Sequence, residues 1–418
     1  MTSSPRAPVS IAHQIGFKEF VALAALMMAC QALAIDAMLP ALRTISEQLG
    51  VTDENHAQWI VLTYMAGMGC GQLFWGLLSD RFGRRVVLLV GLAMYVGAAL
   101  LVGLSGTFEV LLLWRFIHGV AASSAIVARS MIRDLYEGRT MARVMSLTFI
   151  VFMMIPVIAP SIGQLVLLVA PWRSLFLLFG AYGAVMWLWV LWRLPETLHP
   201  EYRMTLDVQN IKKAVVKVVT DRASVWNTLA VTVIVAAIFG YVAMVSQIFN
   251  DVFQRPGVMP TMFAACAASM GLMSYINSAV VERIGMRVAS QTGLFLFISL
   301  TLIHSIVAWS GHESMVTFVI LQSATMSCVG LMVANFGTMA MEPMGAIAGV
   351  AASMQGFVGT TGAALIGAVV GRQFNGSTLP LAAGSLLLGL AALVCVLIAE
   401  RGRLFKPHQG SAAVDAVH

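Results

Sequence analysis

Asp36 is the one acidic residue that interrupts the interior of a long apolar run in this sequence; the other 18 of the 19 aspartates and glutamates fall at run ends, in loops or in the tails. A carboxylate inside a membrane costs several kcal/mol if it is ionised and unpaired, so such a residue is by default a functional one. Its chemistry would be the uptake and release of a proton. The alternative is that Asp36 lies close enough to the membrane surface to be hydrated.

Arg115 interrupts another apolar run and is the partner that we expect for Asp36. If both runs are membrane helices with a rise of about 1.5 Å per residue, Arg115 lies about 12 Å and Asp36 about 13 Å below the same boundary. Opposite charges at equal depth predict a buried pair. His118 follows Arg115 by three residues and therefore lies on nearly the same helical face, where it either titrates or is simply packed.

A short charged turn at 76–85 follows the second apolar run, and a degenerate copy at 278–287 has an acid, Arg, Gly and a final Arg at the same offsets. A turn repeated once in each half is typical of a duplicated transporter. The alternative is a charge cluster that only sets membrane orientation, which explains the arginines but not the acid and the glycine. The residues of this turn that we expect to act in conformational gating are Gly76, Asp80, Arg81, Gly83, Arg84 and Arg85.

The composition indicates a membrane protein. Hydrophobic residues make up 59% and charged residues 11% of the 418 residues, whereas a soluble chain carries about 25% charged residues. A span needs about 20 apolar residues, because every backbone N–H and C=O in lipid must be satisfied within the helix. Twelve such runs occur, at 17–45, 54–79, 85–105, 107–132, 142–170, 172–194, 224–250, 258–281, 287–309, 313–341, 344–371 and 378–400.

The widest polar gap falls between the sixth and seventh runs and is the expected junction of two halves. We predict an all-α membrane protein with twelve transmembrane helices in two six-helix halves. The predicted parts are an N-terminal tail (1–16), an N-terminal half (17–195), a linker (196–222), a C-terminal half (223–402) and a C-terminal tail (403–418).

The lysines and arginines predict the orientation, because cytoplasmic loops carry an excess of them. With a cytoplasmic N-terminus, 19 of the 25 lie on the cytoplasmic side and four on the other. Both termini are therefore expected in the cytoplasm. The net charge of +6 is explained by this bias, and a nucleic-acid partner is not expected.

The turn at 76–85 has every fixed position of G-x-x-x-D-R-x-G-R-R and resembles the loop signature of the major facilitator superfamily. The chain further resembles drug:proton antiporters of the bicyclomycin/chloramphenicol-resistance (Bcr/CflA) branch, over nearly all of 17–402. The resemblance implies the major facilitator fold and proton-driven export. The motifs that carry it are Asp36 with Pro40, Arg115 with Gly119, Arg133-Asp134, the Pro/Gly-rich segment 156–163, Trp172-Arg173 and Met341-Glu342-Pro343.

The fifth span carries three more expected gating residues. Pro156 and Pro160 each remove a helix hydrogen bond, and Gly163 lets another helix approach closely. This segment forms either a dry seal or a packing kink with no gating role. The resemblance also implies that Asp80 caps a helix N-terminus near Gly345 in one conformation only.

Arg84 is expected to pair with Asp134 or Glu137, the acids just beyond the fourth span. One departure from the family affects the expected stoichiometry. Some relatives carry a second acid two turns earlier in the first span, whereas this chain has Met28 there. A site with one acid should handle fewer charges per cycle.

The 27 methionines, together with aromatic residues, suit an adaptable apolar pocket, although Met is also an ordinary lipid-facing and core residue. His304 is isolated in the ninth span and is expected to be packed rather than a ligand. The residues that we expect to line a substrate cavity are Met38, Tyr64, Met68, Met153, Tyr241, Met244, Asn335 and Gln355.

No phosphate-binding G-x-x-x-x-G-K-[ST] pattern occurs, so an ion gradient is the expected energy source. The sequence predicts a proton-coupled multidrug efflux antiporter that exports small amphipathic or lipophilic compounds by alternating access. The alternatives are a proton-coupled exporter or symporter of a metabolite such as a sugar or amino acid, and a non-transporting membrane sensor of the same fold.

The remaining expectations follow from that function. We expect no enzymatic activity, no cofactor and no metal site. The expected partners are a drug-like small molecule, protons and the lipid bilayer. We expect a monomer in the bacterial inner membrane.

Overall fold

The computed structural model describes residues 15–51, 54–136, 138–198, 201 and 208–405, and these residues form helices joined by short turns. Eleven helical stretches of the described part are long and apolar enough to cross a membrane. The predicted fifth span lies on a further helix, Gly138–Val169, whose apolar part is Met154–Val169. The prediction of an all-α membrane protein is confirmed.

Large apolar side chains on the outer faces of the helices are exposed. Val169 and Trp309, for example, are 86% and 78% exposed. An apolar surface of this kind would be unfavourable in water, and it is the surface expected of helices that face lipid.

The described part of the chain divides into two compact units, residues 15–51 with 63–208, and residues 54–62 with 209–405. The beginning of the second span thus belongs to the second unit. Spans 1 to 6 are Phe17–Gln48, His56–Phe82, Arg84–Gly103, Phe108–Leu135, Gly138–Val169 and Arg173–Arg193. Spans 7 to 12 are Arg222–Val252, Pro256–Val281, Met286–Trp309, Met315–Gly345, Gly349–Gly371 and Leu379–Ala399.

The two units repeat the same helix neighbours. In the first unit, span 3 packs against spans 4 and 6, and span 1 packs against spans 5 and 6. In the second unit, span 9 packs against spans 10 and 12, and span 7 packs against spans 11 and 12. The repeat visible at 76–85 and 278–287 therefore extends to the packing of whole helices.

Span 1 is interrupted within the membrane. Its α-helix ends at Asp36, a 3₁₀ turn follows at Leu39–Ala41, and a short α-helix completes the span at Leu42–Gln48. Pro40 lies in the 3₁₀ turn and has no N–H to donate to a continuing helix. The sequence predicted an uninterrupted run here, because hydropathy does not detect a change of helix type.

Spans 2 and 4 approach each other closely at three glycines, Gly67, Gly71 and Gly119. A Cβ atom at Gly119 would overlap the carbonyl oxygen of Tyr64, and one at Gly67 would overlap that of Phe116. Small residues of this kind let membrane helices pack backbone against backbone. This close backbone contact between spans 2 and 4, here called the seam, fixes the position of Tyr64 along the axis of span 4.

We predict that Gly119→Ala destabilises the protein by about 1–3 kcal/mol, because the added methyl group must push spans 2 and 4 apart. Gly97→Ala is the matched control, since no atom lies within 4 Å of a Cβ built there. The control should be neutral or gain up to about 1 kcal/mol from helix propensity. Thermal unfolding of both variants in detergent measures the difference, and equal midpoints would contradict the proposed seam.

Candidate functional site

Asp36 lies where the α-helix of span 1 stops, and it is only 6% exposed. Span 5 packs directly on this break, because a Cβ atom at Gly163 would overlap the carbonyl oxygen of Ala37. The structure therefore places Gly163, which the sequence assigned to gating, against the residue that follows Asp36, which the sequence assigned to proton coupling. The close approach of Gly163 leaves the carboxylate-bearing residue enclosed by protein.

Arg115 is fully buried in span 4 and bonds the broken end of span 1. Its Nη2 donates to the carbonyl oxygen of Ala34 at 3.2 Å. That carbonyl is among the last four of the helix, which have no partner within the helix, and a cation is favoured at a helix C-terminus. The guanidinium also lies 4.3 Å from the ring centroid of Tyr64 and 5.7 Å from that of Phe176.

The predicted ion pair between Asp36 and Arg115 is not among the ion pairs of the described residues. Instead, Arg115 bonds the backbone two residues before Asp36. The two residues thus serve the same helix end, and their direct pairing stays a prediction.

His118 lies beside the guanidinium, with its Nδ1 3.3 Å from Nη1 of Arg115. Arginine has no acceptor, so Nδ1 of His118 must accept and the imidazole in this arrangement is neutral. The ring packs 4.3 Å from the centroid of Tyr95 and 5.3 Å from that of Tyr64. Its Nε2 atom has no hydrogen-bond partner within the described part of the chain.

Span 1 receives side-chain hydrogen bonds on its backbone from four other spans. Besides Arg115 on span 4, the donors are tyrosines on spans 2, 3 and 6. The hydroxyls donate from Tyr64 to Gln31 at 3.3 Å, from Tyr95 to Cys30 at 3.3 Å and from Tyr182 to Leu26 at 2.7 Å. The helix that carries Asp36 is therefore held by polar contacts on several sides.

Arg84 is the centre of a second cluster, at the turn between spans 2 and 3, and is 6% exposed. Its Nε bonds Asp134 Oδ2 at 2.9 Å, and its Nη1 bonds Asp80 Oδ1 at 2.5 Å and Ser79 Oγ at 2.7 Å. Of the two expected partners for Arg84, the structure brings Asp134 into contact, while Glu137 lies outside the described residues. Asp80 is bound by Arg84 here, and its predicted capping of a helix near Gly345 stays a prediction.

Glu196 is a member of this cluster that the sequence did not reveal. Its carboxylate accepts the backbone N–H groups of Arg84 at 2.8 Å, Arg85 at 3.2 Å and Leu198 at 3.0 Å. It thereby caps the beginning of span 3 from the end of span 6. Gly83 has a φ of 99°, and a Cβ atom there would overlap a Glu196 carboxylate oxygen. The sequence holds no local signal for this contact, because 112 positions separate Arg84 from Glu196.

The other gating candidates of the turn have smaller roles in this structure. Arg81 is exposed and lies over the ring of Phe82 at 5.2 Å. The Gly76 carbonyl oxygen accepts a hydrogen bond from Ser79 Oγ at 2.8 Å, and Arg85 Nη2 donates to the carbonyl oxygen of Leu191 at 2.6 Å.

The prolines of span 5 do not end its helix. Pro156 and Pro160 both lie inside Gly138–Val169. Whether they form a gate stays a prediction.

The second unit has a related but different cluster. Gly285 repeats the positive φ of Gly83, at 80°. Arg287 bonds Glu400 at 3.0 Å and Glu342 at 3.5 Å, whereas the uncharged Met286 occupies the position of Arg84. The two turns are therefore unequal.

His304 is packed, but it is not isolated from charged groups. Its Nε2 lies 2.9 Å from Oε1 of Glu313, and these side chains are 1% and 5% exposed. Neither of these two atoms makes a hydrogen bond within the described part of the chain. Through its other carboxylate oxygen, Glu313 accepts a hydrogen bond from the hydroxyl of Thr378 at the start of span 12. The sequence could not show this, because the acid lies in a turn after the span and reaches back to the histidine.

The candidate cavity residues have varied surroundings. Met38, Tyr64 and Met244 are fully buried, and Tyr241 is 3% exposed and stacks on Phe263 at 5.7 Å. Their assignment to a substrate cavity stays a prediction.

The polar cavity candidates form hydrogen bonds. Asn335 donates to Asn277 at 2.9 Å, which joins spans 10 and 8, and Gln355 donates to the carbonyl oxygen of Gly337 at 3.2 Å. Met68 is half-buried, and the side chain of Met153 lies outside the described part.

Two units with the same helix neighbours and an interrupted span that carries a buried carboxylate form an arrangement typical of membrane transporters. The sequence profile of the Major Facilitator Superfamily matches residues 24–370, and the chain belongs to this superfamily.

The relatives of the chain are similar over most of their length. An uncharacterized transporter of the superfamily from Bacillus subtilis, YdgK, is 28% identical over 81% of this chain and 84% of its own. The multidrug resistance protein MdtL from Klebsiella pneumoniae is 30% identical over 91% and 95%. A bicyclomycin resistance protein homolog from Haemophilus influenzae is 27% identical over 60% and 63%. Among solved structures, a D-xylose–proton symporter has the same fold, with a TM-score of 0.71 at 13% identity over 93% of this chain and 97% of that one.

We predict that Arg84→Lys destabilises the first unit by about 1–3 kcal/mol, because a lysine ammonium cannot reproduce the forked contacts to Asp80, Asp134 and Ser79. Arg81→Lys is the control within the same turn, since Arg81 is exposed, and it should be tolerated. Thermal unfolding in detergent and transport by both variants provide the comparison. An Arg84→Lys protein as stable and as active as the Arg81→Lys control would show that the turn needs only positive charge at position 84.

We predict that Glu196→Gln costs about 1–2 kcal/mol, because the amide loses the charge and one of the two acceptor oxygens that cap span 3. Glu47→Gln removes the same charge from an exposed pair with Arg43, where the Glu47 side chain is 62% exposed, and should stay within about 0.5 kcal/mol. Unfolding midpoints of the two variants test the cap. A Glu196→Gln protein as stable as the Glu47→Gln control would argue against it.

Proposed function

We propose that this transporter is a proton-coupled antiporter that exports small amphipathic or lipophilic compounds. The observation that carries the proposal is Asp36, a buried carboxylate at the interruption of span 1. Interrupted helices near the middle of the membrane are where transporters bind substrates and coupling ions. Asp36 is proposed as the group that binds the proton.

The surroundings of Asp36 support an exchange between protons and substrate. Arg115 keeps a positive charge at the carbonyl oxygen of Ala34, on the same helix end as the carboxylate. When Asp36 is protonated, the carbonyl oxygen at the helix end still stabilises the positive charge of Arg115. When Asp36 loses its proton, the guanidinium at the same helix end favours the negative charge of the carboxylate. We propose that release of the proton inward and binding of the exported compound alternate at this end of span 1.

Drug-like substrates are proposed from the relatives. A multidrug resistance protein and a bicyclomycin resistance protein homolog are similar to this chain over more than half of its length. The two alternatives are metabolite transport and a non-transporting sensor, and transport assays in proteoliposomes distinguish them.

We also propose a location in a bacterial inner membrane with both termini in the cytoplasm. The support is the distribution of basic residues, since with a cytoplasmic N-terminus 19 of the 25 fall on the cytoplasmic side. Cysteines introduced at exposed loop positions and labelled in intact cells would test this orientation.

We predict that Asp36→Asn abolishes uphill transport driven by a pH gradient while exchange of substrate for substrate continues. Asparagine fills the same space but cannot bind or release a proton. The measurement uses proteoliposomes with an imposed pH gradient, with bicyclomycin, a panel of lipophilic drugs, sugars and amino acids as probes. Drug accumulation in the wild type supports the proposal, and accumulation of only a sugar or an amino acid supports the metabolite alternative.

Two variants control this experiment. Asp36→Glu keeps a titratable group and should retain part of the uphill transport. Glu109→Gln removes an acid from the exposed first turn of span 4 and should transport like the wild type. Undiminished uphill transport by Asp36→Asn would overturn the role of Asp36, and binding without transport by the wild type would favour a sensor.

A further inference from the structure

The helix Val208–Thr220 connects the two six-span halves of the sequence and has a face that no transport role explains. Only Asp221 separates it from span 7, and Asp221 caps the first turn of that span through a 2.8 Å hydrogen bond from the N–H of Ser224. Since span 7 begins at Arg222, the C-terminal end of this connecting helix lies at the level where a span enters the membrane.

One face of the connecting helix is anchored on the second unit. Ala214 and Val218 are spaced by four residues and are 6% and 8% exposed. Val218 packs with Met344, at the end of span 10, and with Ala351, in the first turn of span 11. These contacts fix which face of the helix is turned outward.

The outward face combines positive charge with apolar groups. Lys212, Lys213 and Lys217 are exposed, and Val216 and Val219 are 49% and 54% exposed. Lys212, Val216 and Val219 follow one another at intervals of four and three residues and form one row, next to which Lys213 and Lys217 form another. Residues 208–220 include no acid, so the three charges are not neutralised from within the helix.

We propose that this outward face binds the headgroups of anionic phospholipids, in the leaflet where span 6 ends and span 7 begins. Lysines near a membrane surface attract anionic lipids by about 1 kcal/mol each. The two exposed valines beside the lysines suit the boundary between headgroups and acyl chains, where an amphipathic helix buries its apolar side chains. A free soluble anion would satisfy the lysines but leave the valines in water, and this favours a lipid. The proposal does not depend on what the protein transports.

The experiment measures binding of phosphatidylglycerol and phosphatidylcholine to the full-length protein in detergent, by native mass spectrometry. The wild type should prefer phosphatidylglycerol. The triple variant K212Q/K213Q/K217Q should bind phosphatidylglycerol at least about tenfold more weakly, since each lysine contributes about fivefold, with phosphatidylcholine binding unchanged. The triple Lys→Arg variant keeps the charges and should bind like the wild type.

Three results would overturn the proposal. The first is an unchanged phosphatidylglycerol affinity in the glutamine variant. The second is an equal loss for both lipids, which would indicate a structural role. The third is displacement of phosphatidylglycerol by equimolar glycerol 3-phosphate, which would indicate a site for soluble phosphates. Val216→Ser with Val219→Ser should weaken binding of the lipid and leave binding of glycerol 3-phosphate unchanged, which separates the two sources of the phosphate group.

Discussion

An interrupted helix inside a membrane leaves backbone groups that lipid cannot satisfy, and much of the first unit is arranged around this constraint. Span 1 stops at Asp36, and Arg115 supplies a donor to the carbonyl oxygen of Ala34. Because this donor is a cation, a positive charge is fixed at the end of the helix that carries the carboxylate. The close approach of spans 2 and 4 at Gly119 belongs to the same arrangement, since it places the ring of Tyr64 against the guanidinium.

The two turns at 76–85 and 278–287 show which features of a duplicated unit persist. Both have a glycine with positive φ, and in both an acid from the end of the last span of the unit bonds the turn. The charges within the turn differ, since Arg84 bonds two acids of its own unit and the corresponding residue of the second unit is Met286. The two turns therefore share the glycine conformation and the contact with an acid from the end of the unit, whereas the charged side chains within the turns differ.

Much of the fold followed from the sequence, because apolar length and charge asymmetry are local properties of a membrane chain. The spans were predicted in this way, and Asp134 was one of the two acids expected to pair with Arg84. The roles of Asp36 and Arg115 in transport stay predictions. The cap by Glu196 and the contact of His304 with Glu313 were missed, since each joins a residue of a span to a turn elsewhere in the chain. The break in span 1 was missed for another reason: Pro40 was visible, but the change to a 3₁₀ turn after Asp36 depends on what packs against it, including the backbone of span 5 at Gly163.

In each unit, the contact between the turn and the acid at the end of the unit has a consequence for folding during synthesis. Arg84 and Glu196 are 112 positions apart, and Arg287 and Glu400 are 113 positions apart. Chains are synthesised from the N-terminus, and domains generally fold as units in that order. The contact between Glu196 and the first turn can therefore form once span 6 and Glu196 have been translated, before most of the second unit has been synthesised. The contact between Arg287 and Glu400 can form only after span 12 has been translated. A chain truncated after span 11 would therefore form the contact of the first turn but not that of the second.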